Sequence, residues 1–260
     1  MFSGSFTKTS SFISHWLNSV DEHSLQAPSV YEFYTEVVKD NYTCSSLEKV
    51  KQLRRSLLAD HTILEVTDHG TGGSGSNLRA VSTLTRSSNK PKVSRLLYNI
   101  CRKTRPAVIL ELGTSLGIST LCMAAAAPEA RIITIEGCSE IGAKALEHFR
   151  ICGASGISLI NGDIDQVIAK TLSKLSSIDL LFIDANHRYR PTLDYFQQCL
   201  PLCHPQTTVV IDDIYWSSEM TRAWCEIKKL GSVKMTLDLF HAGVVLFREG
   251  IGKKHYILKL

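Results

Sequence analysis

From about residue 106 onward, short β-branched runs alternate with helical stretches, and each run ends within two residues of a carboxylate. The runs are AVILEL (107–112), RIITIE (131–136), SLIN (158–161), IDLLFID (178–184) and TVVIDD (208–213). Continuous apolar strands separated by helices predict a parallel sheet covered on both faces. The segments between them, such as EIGAKALEHFRICG and RPTLDYFQQCL, read as helices, and several stop at Gly or Pro. The pattern is that of a doubly wound α/β sheet.

The end of the chain changes character. SVKMTLDLF and AGVVLFREG read as two β-runs joined by a link too short for a crossover helix, so they must pair antiparallel. Five parallel strands and an antiparallel hairpin make seven. The first hundred residues read as mainly helical. PSVYEFYTEVVKD sets Val30, Phe33, Tyr34, Val37 and Val38 at helical spacing, and SSLEKVKQLRRSLLAD does the same with Leu47, Val50, Leu53, Leu57 and Leu58. Ser45 and Glu48 have the spacing of a capping box. DHGTGGSGSN (68–77) lacks the Gly-Lys-Ser/Thr ending of a phosphate loop and reads as a mobile loop. A boundary near residue 104 then separates a helical extension, 1–104, from the alternating domain, 105–260.

Charge and cysteine usage narrow the partners. No apolar stretch approaches the roughly 18 residues of a membrane span, and no apolar run follows a basic start at the N-terminus. The eight cysteines are scattered without paired zinc spacing, as for buried thiols in a reducing cytoplasm. Residues 51–105 hold eleven Lys/Arg against three acids, whereas the rest of the chain is net acidic. Such a segment attracts anions or nucleic acid, or is simply a solvated helix face.

In an open parallel sheet, ligands bind outside the carboxyl ends of the strands. Those ends carry Glu111-Leu-Gly113, Glu136-Gly137, Asn161-Gly-Asp163, Asp184-Ala-Asn-His187 and Asp212-Asp213. Each acid alone could cap a helix; together they favour a site. In VILELGTSLGIST, Gly113 and Gly117 allow a tight turn and close backbone approach. Glu136 stands where an acid accepts ribose hydroxyl protons, and Asp163 could reach an adenine amino group. Three acids and no dinucleotide fingerprint fit a nucleoside with a positive sulfonium and no pyrophosphate.

On these motifs, residues 105–250 resemble the class I S-adenosylmethionine-dependent methyltransferases, and ELGTSLGIST is similar to the turn of the catechol and caffeoyl-CoA O-methyltransferase group. The resemblance implies a Rossmann-like fold and cofactor contacts from Glu111, Gly113, Thr114, Ser115, Gly117 and Ser119. It also implies contacts from Glu136 and Gly137 at the ribose, from Asp163 and Ile164 at the adenine, and from Asp184. In that group a divalent cation, Mg²⁺ here, is held by an Asp ending the fourth strand and an Asp-Asn pair ending the fifth. The corresponding residues are Asp184, Asp212 and Asp213, the last a departure from Asn. A shared cation would offset the repulsion of adjacent acids.

The group's catalytic Lys falls at His187, in DANHRY. A His, with an unperturbed pKa of about 6.5, suits a general base at neutral pH. His187 could equally cap the next helix or pack beside Tyr189. Tyr215 and Trp216 could wall an acceptor pocket or belong to the core. The expected activity is metal-assisted O-methylation of a small hydroxylated acceptor, with no membrane partner and with the extension covering the acceptor or forming a homodimer surface. The alternatives are a metal-independent enzyme acting on a nitrogen or nucleic-acid acceptor, and a cofactor-binding protein without catalysis.

Overall fold

The computed structural model describes residues 3–25, 28–67, 78–88, 90–247 and 254–260. The chain forms two compact units, one discontinuous (Met1–Lys39 with Leu175–Leu260) and one continuous (Asp40–Lys174). The discontinuous unit begins with α1 (Ser3–Asn18) and α2 (Pro28–Phe33), the latter running straight into a π-helical turn at Tyr34–Val38. The predicted spacing holds there: Val30, Phe33, Tyr34, Val37 and Val38 are all buried. On α1, Phe12, Ile13, Trp16 and Leu17 instead form an exposed apolar stripe.

The continuous unit opens with α3 (Ser45–Leu58), whose Leu47, Val50 and Leu57 enter the core. Its cap is Cys44, whose side chain makes no capping hydrogen bond, and Glu48 accepts from Lys51 at 2.5 Å. The expected Ser45–Glu48 capping box is therefore absent, because the helix starts at Ser45 itself, one residue too early for Ser45 to cap it. Next come β1 (Ile63–Glu65) and β2 (Leu78–Ala80), an antiparallel pair, then α4 (Val81–Ser87) and α5 (Pro91–Thr104). The glycine-rich stretch 68–77 lies outside the described residues. The alternation follows as β3 (Val108–Leu112), α6 (Ile118–Ala126), β4 (Arg131–Glu136), α7 (Ser139–Cys152), β5 (Ile157–Asn161) and α8 (Ile164–Leu172). Strand β4 lies between β3 and β5 and is parallel to both. Apart from Ala107, a residue added to β5 and small shifts at the helix ends, these are the predicted elements.

The chain then returns to the discontinuous unit with β6 (Ile178–Ile183), α9 (Tyr189–Cys199), β7 (Cys203–Asp212) and α10 (Ser218–Lys229), and finishes with β8 (Met235–Asp238), β9 (Ala242–Leu246) and β10 (Lys254–Ile257). Strand β7 is parallel to β6 and antiparallel to β9, and β9 pairs antiparallel with β8 as the hairpin requires. The result is the expected mixed α/β, Rossmann-like class, mostly parallel with antiparallel strands at an edge. Two details differ. Strand β7 starts at Cys203, ahead of the predicted run at 208–213; Thr207 donates to the Ile178 carbonyl at 2.6 Å and accepts from the His204 amide, which holds these residues in the ladder. Strand β10 is one more than the seven expected; it pairs parallel with β8, and its short run carries too little periodicity to announce itself.

Candidate functional site

In the continuous unit, the turn after β3 is organised from beneath by Glu111. This side chain is fully buried and accepts from three hydroxyls: Ser119 (2.5 Å), Thr120 (2.5 Å) and Thr134 (2.7 Å). Burial pushes its carboxyl up to about 7, although the three donors pull the other way. Thr114, also buried, meets the Thr134 hydroxyl at 2.5 Å, and the Gly113 and Thr114 amides both donate to the Ile135 carbonyl. The turn is thereby stitched to β4.

Backbone torsions explain its residues. Gly113, Ser115 and Gly117 have φ of 97°, 48° and 80°, which side-chain-bearing residues rarely adopt. At Gly117, an added Cβ would lie 2.5 Å from Phe149 Cε1, so α7 packs directly on the turn.

Glu136, at the end of β4, reaches the same turn. One carboxylate oxygen accepts from the Ser115 amide at 2.8 Å and the other from the Cys138 amide at 2.9 Å. The turn and the second acid, separate motifs in the sequence, are thus in contact. Gly137 follows Glu136 directly, and on the next strand Asn161 lies opposite Glu136 in register. Asp163 accepts from the Asp165 amide as the cap of α8, and Ile164 begins that helix, buried. Thr120 and Thr134 escaped sequence reasoning: a Thr within an Ile-rich strand or an apolar helix reads only as a structure former.

In the discontinuous unit, the pairing of Ile183 with Ile211 sets Asp184 and Asp212 at neighbouring strand ends. Asp212 is buried; Asp213 follows in a left-handed conformation (φ 54°), with its amide donating to the His241 carbonyl at 2.7 Å. After β6, Asn186 and His187 are also left-handed (φ 63° and 45°), and His187 Nε2 stands 3.5 Å from Asp184 Oδ1. The bend thus turns the imidazole back onto the strand-end acid. Three of the six non-glycine residues with positive φ among the described residues lie at these strand ends, at roughly 1–3 kcal/mol of strain each where such backbone is enforced.

The helix-cap readings fail here. Helix α9 is capped at Arg188 without a side-chain bond, the Tyr189 amide donates to Glu219, and α10 is capped by Ser217. Tyr215 is half-buried and donates to Asp238 at 2.7 Å, whereas Trp216 is 45% exposed. Among the described residues, no three His, Cys, Asp or Glu side chains converge as a metal cage. The donor chemistry of Asp184, Asp212 and Asp213 is all oxygen, the type that Mg²⁺ takes.

Residues 110–214 match a family model described as a methyltransferase domain. The chain is 33% identical over 131 residues to a catechol O-methyltransferase of Niastella koreensis, covering 49% of this chain and 57% of the relative. It is 33% identical over 104 residues to a transmembrane O-methyltransferase homolog of Mus musculus, covering 38% and 40%. The chain thus spans about half the length of the curated relatives it matches. Among the described residues, no helix is long and apolar enough to cross a membrane.

Two solved structures share the fold. An O-methyltransferase from Bacillus cereus in complex with SAH superposes with a TM-score of 0.57 at 16% identity, over 84% of this chain and 97% of the other. The O-methyltransferase TomG from Streptomyces achromogenes in complex with SAM gives 0.56 at 18%, over 88% and 99%.

Proposed function

We propose that this chain, whose residues 110–214 are a methyltransferase domain of the class I S-adenosylmethionine-dependent type, methylates an oxygen of a small hydroxylated acceptor. The observation that carries the proposal is the contact between the Ser115 amide and the Glu136 carboxylate, which joins a left-handed turn to a strand-end acid without any phosphate-binding fingerprint. A carboxylate at the strand end beside this turn is the acceptor that ribose hydroxyls would need, so the residues fit a ribose. S-adenosylmethionine, when bound, supplies the electrophilic methyl group.

The chain's own residues would do the rest. Gly113, Thr114, Ser115 and Gly117 form the close-approach turn, Glu111 and Ser119 hold it from below, Glu136 and Gly137 receive the ribose, and Asp163, Ile164 and Asp184 complete the cofactor contacts. His187 Nε2 would take the proton of the acceptor hydroxyl, and the Asp184 carboxylate beside it would stabilise the imidazolium that forms. Asp184, Asp212 and Asp213 would hold a divalent cation, whose charge would acidify that hydroxyl. The in-register ends of β6 and β7 support this, and the side chains would have to turn toward one another to make the cage.

We divide the roles as 105–260 for cofactor and chemistry and 1–104 for acceptor cover or association. The exposed stripe Phe12, Ile13, Trp16 and Leu17 is a surface that a homodimer would cover, and eight free thiols suit a reducing cytoplasm.

Calorimetric titration of S-adenosylmethionine, then of Mg²⁺ into the saturated protein, tests the proposal. Cofactor binding and a metal isotherm that Asp212→Asn/Asp213→Asn abolishes are expected. Cofactor binding without a metal response would remove the cation and leave His187 as the only base. No cofactor binding would overturn the reading.

A further inference from the structure

The basic stretch 51–105 has no part in the chemistry above, yet four of its cations converge. Lys51, Arg54 and Arg55 on α3 and Arg95 on α5 line one cleft of about 410 Å³ in the continuous unit. Among the described residues lining it, none carries a carboxylate. The floor is apolar: Leu47 and Val50 from α3, Ile118 and Cys122 from α6.

The charges are only partly offset. Lys51 is paired with Glu48, which lies off the lining. Arg95 donates to the neutral amide of Asn41 at 2.6 Å, which fixes its guanidinium and leaves its charge in place. Arg54 Nε is shielded from solvent and has no hydrogen-bond partner, a costly state for a donor unless an acceptor arrives. Arg55 is exposed at the rim. One end of the cleft is built in place by Tyr42, which stacks on Tyr98 and carries the Arg102 guanidinium 4.5 Å above its ring.

Arginine forks match carboxylate and phosphate oxygens, and an apolar floor needs an organic body. The volume lies within the roughly 300–1,000 Å³ of small-molecule sites. A nucleic acid would call for cations spread along an open track; these face one another across a cleft. We propose that this cleft binds a small organic anion, a phosphate or carboxylate carried on an apolar body.

Calorimetry on the full chain with hexyl phosphate, hexanoate and inorganic phosphate tests it. Hexyl phosphate or hexanoate should bind, the tighter of the two identifying the head group, and inorganic phosphate should bind about tenfold more weakly or worse. Arg54→Met, and Arg55→Gln at the rim where folding is not at stake, should each weaken binding about tenfold, while Lys92→Gln, outside the cleft, should leave it unchanged. Overturning results are no binding by roughly millimolar ligand, equal affinity for inorganic phosphate, indifference to both arginine variants, or displacement of hexyl phosphate by S-adenosylmethionine. Tighter, Arg54-dependent binding of a single-stranded RNA oligomer would also overturn it and assign the cations to nucleic acid.

Discussion

His15 Nε2, on the first helix, lies 3.2 Å from Asp238 Oδ1, with both side chains almost completely buried. The same carboxylate accepts from Tyr215 (2.7 Å), Trp224 Nε1 (3.0 Å) and the Phe240 amide (3.2 Å). Burial alone would raise the Asp238 pKa, but these donors outweigh it and hold the carboxyl below its ordinary value. The α1 helix is thus fastened to the end of β8 by an ionised group that cannot be removed without orphaning its donors.

Asp238→Ala should therefore cost about 3 kcal/mol in urea unfolding at pH 7, since it strands several buried donors at once. Because the folded pKa is depressed, this contribution is present above the ordinary Asp value of 3.8 and is lost as pH falls below it. A stability loss below about pH 4 in the wild type, blunted in Asp238→Ala, is the expected acid profile.

Glu111 carries the opposite sign. Its folded carboxyl, near 7, binds protons that the unfolded chain, at 4.5, has already released. Stability from this group is full below about pH 4.5 and declines as pH rises through about 7, by an amount on the order of 3 kcal/mol. Urea midpoints for wild type and Glu111→Gln at pH 5 and 7.5 check this: the variant should lose the slope.

Gly117→Ala meets two penalties, a left-handed φ and a Cβ pressed on Phe149. The expected loss is about 2–3 kcal/mol, with weaker binding of S-adenosylmethionine in calorimetry. Adding Phe149→Leu should recover the steric part and leave the backbone part. Full recovery would mean that the torsion costs nothing here.

His187→Gln should lower kcat by about a hundredfold or more while the affinity for S-adenosylmethionine holds, as for a base that acts on the acceptor and not on the cofactor. Equal loss of both would reduce His187 to a support for its bend.

The alternating strands were legible because an apolar run between two helices has one stable use, and their ends could be found by reading where each run stops. The contact of Ser115 with Glu136 was not legible: each is assigned to the cofactor separately, and only the pairing of β3 with β4 brings them together. Other features depend on partners remote in sequence. Nothing near Glu111 says that Thr134, 23 residues on, will bury it. Nothing around His15 points to Asp238. Cys203–Gln206 fell outside the predicted run at 208–213 because strand pairing, not side-chain pattern, holds it in β7. The convergence of Arg54 with Arg95 needs α3 and α5 to be packed before the charges mean anything.

The discontinuous unit has a consequence for synthesis. Residues 40–174 can close on themselves as soon as they leave the ribosome, whereas α1 must wait for a strand made more than 200 residues later. Until Asp238 and Phe240 emerge, His15 and the Phe12 ring are without their docking place. Nascent chains should thus pass through a state with a finished middle and an unattached beginning, the interval in which a holding chaperone would find them.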